Sequence, residues 1–202
     1  MERESLYGSA YKRLAIVEGA AGREAAELDA IAKMKNHYEA AERIARENAG
    51  GRATGSSYYP AMNRIAAQLA LLGGTARAAA LDAETLGFVQ NTMMAAPVDF
   101  WSVVGQTELR MYASLFAGTL KKDIAKLVEE FSDHHGRVSA PKRWASVLDN
   151  ASFVLVKYQQ RASRSESEAA ARLLAHLTGL AARTAGASRK AAANRKPKRN
   201  AK

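Results

Sequence analysis

His134 and His135 stand side by side, with Glu130 four residues before His134 and Asp133 adjacent to it. Imidazoles and carboxylates bind metals, so this cluster is the first place to look for a metal centre. On a helix, neighbouring residues point about 100° apart and cannot share an ion. Further ligands would have to come from His37 or His176, which nothing in the sequence brings close. The pair falls at an expected helix C-terminus, where a partial positive charge suits the dipole, and that role is favoured. Gly50-x-x-x-x-Gly55-Ser56-Ser57 has the glycine spacing of a phosphate-cradling loop, but Ser56 replaces the lysine that must reach the phosphates, and the preceding segment reads as helix rather than strand. No serine sits in a Gly-x-Ser-x-Gly elbow. The absence of cysteine removes disulfides, thiolate nucleophiles and thiolate metal sites. The expectation is a chain with no catalytic residue, no metal and no cofactor. A hidden enzyme would need a buried polar pocket with strongly perturbed titrating groups.

The elements around these residues are helical. About a fifth of the 202 residues are alanine and 7% are aromatic, a mix that favours helix over sheet. Leu6, Ala10, Leu14 and Val17 form one face of a first helix, over about 2–18. Leu28, Ile31, Met34, Tyr38, Ala41 and Ala45 form that of a second, over about 23–48, with Glu39–Arg43 and Glu42–Arg46 as surface pairs. Pro60 belongs to the first turn of a third helix, which ends at Gly73-Gly74, and a weaker pattern spans 75–94. Pro97 opens a helix to about 117, with Trp101, Val104, Gly105, Glu108 and Tyr112 on one face. Leu120 to Gly136 and a helix starting at Pro141 follow, the latter carrying Trp144, Val147 and Leu155. Trp101 and Trp144 read as core anchors. Ser165-x-x-Glu168 reads as the capping box of the last helix. The expected fold is all-α, about eight antiparallel helices with short connections, either a stack of helix pairs or a bundle.

The net charge of +10 is unevenly spread. Residues 186–202 carry Arg189, Lys190, Arg195, Lys196, Lys198, Arg199 and Lys202 and no acid, leaving the body, residues 1–185, nearly neutral. This segment lacks apolar periodicity, so a disordered basic tail is expected. Such a tail condenses on polyanions, which makes nucleic acid a second candidate partner, and Arg195-Lys-Pro-Lys-Arg199 has the character of a nuclear signal. No apolar run reaches the roughly 18 residues of a membrane span. Met1-Glu-Arg-Glu-Ser lacks the apolar core of a signal peptide, so the expectation is a cytoplasmic protein without a membrane partner. The oligomeric state stays open.

Trp101-x-x-Val104-Gly105 and Met62-x-x-Ile65-Ala66-x-x-Leu69 resemble the opening helix of a tetratricopeptide repeat, and Met34-x-x-x-Tyr38-x-x-Ala41 resembles the second helix. Glu108 departs from the family's pattern, which often has an aromatic there. With Leu6-Tyr-Gly-Ser-Ala-Tyr-Lys-Arg-Leu14, Tyr58-Tyr-Pro-Ala-Met-Asn63 and Asp99-Phe-Trp101 onward, about residues 5–160 resemble divergent bacterial tetratricopeptide regions found beside caspase-like domains in conflict and signalling proteins. The resemblance implies a non-catalytic scaffold that binds a protein or peptide. It implies that the first helix of each pair lines a concave face, where Asn63, Asp99, Ser102, Gln106 and Arg110 would hold a peptide's backbone or carboxylate.

Overall fold

Apolar stripes at helical spacing, separated by glycine, proline and short polar turns, fold into eight helices among the described residues. A computed structural model describes residues 1–52, 55, 57–72 and 83–194, apart from the side chains of 83–84 and 187–194. The helices are α1 (Glu2–Ala20), α2 (Glu24–Asn48), α3 (Tyr58–Leu72), α4 (Ala83–Ala95), α5 (Phe100–Ala117), α6 (Leu120–Arg137), α7 (Pro141–Arg161) and α8 (Arg164–Asn194). The all-α expectation holds. Gly118 ends α5 in the left-handed region at φ 65°, which side chains rarely adopt. Pro141 begins α7, where its missing N–H costs nothing.

Two helix starts differ from expectation. Pro97 precedes α5 rather than opening it. Asp99 is the N-cap: its side chain accepts from the Ser102 N–H at 2.8 Å, and its own N–H donates to Ser102 Oγ at 3.0 Å. Ser165 lies inside α8, and Glu168 pairs with Arg164 at 2.9 Å instead of closing a capping box. Of the weak helix expected over 75–94, residues 75–82 lie outside the described residues, as does Ser56 of the glycine loop. α8 runs on to Asn194, past residue 186, on an alanine-rich stretch that favours helix. Arg189 and Lys190 sit on this part of the backbone; Arg195, Lys196, Lys198, Arg199 and Lys202 lie outside the described residues.

Sequential pairs pack together: α1 on α2, α2 on α3, α3 on α4, α4 on α5, α5 on α6, and α7 on α8. Contacts between α3 and α7 and between α6 and α8 join helices that are not consecutive in the chain. The core holds Tyr38, Ile65, Met111, Leu115, Phe131, Trp144 and Leu155. α1 is turned the opposite way from its apolar pattern. Its expected face is the outer one, with Leu6 65% and Val17 58% exposed, and Gly8, Lys12 and Ala15 point inward. Small residues there let α2 approach closely: a Cβ on Gly8 would lie 2.7 Å from the Tyr38 ring.

Candidate functional site

One cleft of about 780 Å³ gathers side chains from α1, α3, α5 and α7, a size that suits a small ligand or short peptide. α1 contributes Ser9, Lys12, Arg13 and Ile16, and α3 contributes Tyr58, Tyr59, Met62 and Asn63. α5 contributes Trp101, Gly105, Glu108 and Tyr112, and α7 contributes Ser146, Asp149 and Asn150. Tyr38 of α2 completes the lining. On each of the four helices the residues recur every three or four positions, so each helix offers one stripe. Four of the seven tyrosines and one of the two tryptophans of the chain are here, giving broad amphipathic surfaces.

The polar floor centres on Glu108, which is 9% exposed. The Tyr112 hydroxyl donates to its Oε1 at 2.5 Å. Burial pushes the Glu108 carboxyl up from its ordinary range, partly opposed by the Tyr112 bond and by the charge of Lys12. Burial also drives the Tyr112 phenol well up, and the neighbouring carboxylate adds to this. Lys12 Nζ donates to Asp149 Oδ2 at 2.8 Å and Asn150 Oδ1 at 2.5 Å, tying α1 to α7. A second tie joins α7 to α2 through Lys157 and Glu27. Ser9 and Tyr38 share a hydroxyl hydrogen bond at 2.8 Å. Burial raises the Tyr58 phenol, with Asp99 contributing. Arg13 is exposed and has no ion pair among the described residues.

Of the five concave-face residues read from the resemblance, Asn63 lines the cleft, its Nδ2 donating to the Tyr59 carbonyl at 2.9 Å. Asp99 and Ser102 are spent on capping α5. Gln106 is half-buried outside the cleft, and Arg110 faces α6, where it pairs with Glu130 at 2.6 Å. The register explains this: residues 101, 105, 108 and 112 share the cleft stripe of α5, whereas 99, 106 and 110 lie off it. Trp101 is 38% exposed on the cleft wall and is not a core anchor; Trp144, at 1%, is. Glu108 was the available signal, a carboxylate in a largely apolar helix.

The expected polar accessories also sort differently. Glu42 is buried and pairs with Arg64 of α3 at 2.6 Å as well as with Arg46, so it is no mere surface support. Arg43 pairs with Glu47 rather than Glu39, which takes Lys35. His134 Nε2 pairs with Thr107 Oγ1 at 3.0 Å, and His135 Nε2 donates to the Leu180 carbonyl at 3.1 Å. Burial lowers the His134 pKa, which disfavours the charged ring and so weakens the dipole role expected for it, although both histidines do lie in the last turn of α6. No family model, no curated protein and no solved structure matches the chain.

Proposed function

We propose that the chain is a non-catalytic protein–protein interaction scaffold of tetratricopeptide-like helical pairs, which holds a segment of a partner polypeptide in the cleft. The observation that carries this reading is the origin of the lining: α1, α3, α5 and α7, the first members of successive pairs, supply every lining residue except Tyr38. The tyrosine-rich walls add rigid, amphipathic contact area of the kind that recognises polypeptides. The ionisable groups of the floor are largely engaged with one another, Lys12 with Asp149 and Glu108 with Tyr112, which suits a fixed docking surface.

The test is affinity capture with the wild-type chain and with Tyr59→Ala/Trp101→Ala. Both rings are partly exposed and edge-on to the buried Tyr38 and Phe100, so circular dichroism checks that the double variant keeps its helices. A partner held by the wild type and by Arg110→Ala, but lost from the double variant, fits the reading; equal capture by all three contradicts it. A second reading, acid–base chemistry at the cleft floor, is favoured by the raised carboxyl of Glu108 within a polar pocket. Turnover of any captured partner or small molecule that Glu108→Gln abolishes would select it. The polyanion reading rests on the charge of residues 186–202, and deleting them tests it through the loss of salt-dependent binding.

A further inference from the structure

The chemistry of the occupant follows from what the cleft leaves unpaired, and the inference rests on the polypeptide-holding reading above. Four charged side chains line the cleft: Lys12, Arg13, Glu108 and Asp149. Lys12 and Asp149 neutralise each other at 2.8 Å, and Glu108 is held by the Tyr112 hydroxyl while Lys12 stands near it. Arg13 has no ion pair and no side-chain hydrogen bond among the described residues, and its side chain is exposed. Of the four, Arg13 is the one that is both exposed and unpaired among the described residues, so the charge the cleft offers a ligand is positive. On other walls stand Tyr59 and Trp101, 49% and 38% exposed, large rings left partly in water. Rings of this kind gain most from a flat apolar group laid against them.

We propose that the cleft takes a polypeptide segment in which an aromatic residue stands beside an acidic one, the ring against Tyr59 and Trp101 and the carboxylate on Arg13. A single-stranded nucleic acid also combines flat rings with negative charge. It needs several cations along its backbone, and the cleft offers one.

The experiment uses the full chain and three probes at up to millimolar concentration: a capped hexapeptide of one phenylalanine among glutamates, its counterpart with lysines, and a hexauridylate. The basic residues of 186–202 attract acidic probes wherever the cleft lies, so calorimetry is paired with acrylamide quenching of tryptophan emission. Trp144 is buried, which makes that quenching a report on Trp101. The expected result is that the glutamate peptide binds and shields Trp101, with the lysine peptide about tenfold weaker. Arg13→Glu, an exposed change checked for intact helicity by circular dichroism, reverses the order. Equal shielding by the two peptides, or a preference for the lysine peptide, overturns the charge inference and leaves the cleft as a peptide site. Shielding by the hexauridylate in preference to both peptides overturns the choice of polypeptide. If no probe shields Trp101, this inference falls, while the reading beneath it stands or falls by the affinity capture with Tyr59→Ala/Trp101→Ala.

Discussion

Glu108 shows how one residue sets the character of the cleft. It stands between the aromatic wall of α5 and the Lys12–Asn150 link, and burial raises its carboxyl above the ordinary value of 4.5. Between the unfolded and folded pKa the unfolded chain has released its proton and the folded chain has kept it. The group therefore withdraws stability as pH rises through that window. Glu108→Gln removes this penalty. The difference in urea midpoint between variant and parent should move in the variant's favour from about pH 4 to about pH 7.5; a difference that stays flat would contradict the burial argument. Gly8 makes an opposite kind of demand. Alanine there would press on the Tyr38 ring, whose hydroxyl is tied to Ser9, and should cost about 1–3 kcal/mol by urea denaturation. Asp99→Ala should cost about 1 kcal/mol, the usual loss for a helix cap, while partner affinity stays unchanged. Weakened binding without destabilisation would restore Asp99 to the interface.

At the scale of elements, the stripes that form α2, α3, α5, α6 and α7 are legible because each is apolar on one side. α1 is not, because large apolar residues lie on the face that ends up outside and small or polar ones on the face that packs. Periodicity reports where the apolar residues are, and here close approach decided the packing instead. The N-terminus of α5 was missed for a similar reason: Pro97 signalled a start, but the reciprocal Asp99–Ser102 pair fixes the first turn three residues later. The α1/α2 hairpin is joined to α7 by Lys12–Asp149 and Lys157–Glu27, both with little exposure on at least one partner. Removing one member of the second pair leaves a buried charge alone. Lys157→Met should therefore cost about 3–5 kcal/mol, while Lys157→Met/Glu27→Leu recovers most of it. A double-mutant cycle in urea measures this, and additive losses would show that the pair is not coupled.

For the molecule as a whole, the all-helical class and the helix count were readable from alanine content, stripes and breaks. The site was not, apart from Asn63. Its walls come from four helices, and the Lys12–Asp149 tie spans 137 positions, a proximity that no local spacing encodes. The cleft is lined by α1, α3, α5 and α7, the helices to which the first-helix rule implied by the family resemblance points. Because that rule took residues by analogy and not by register, it named Asp99, Gln106 and Arg110, which face elsewhere. The central claim is that these four helices grip one polypeptide between them. A photo-crosslinking residue placed in turn at Ile16, Tyr59, Trp101 and Ser146 samples one wall each, and Lys126 and Val156 serve as exposed positions outside the lining. The account expects the same partner segment to be captured from all four walls and from neither outer position; capture from Lys126 or Val156 with silence from the walls would contradict it.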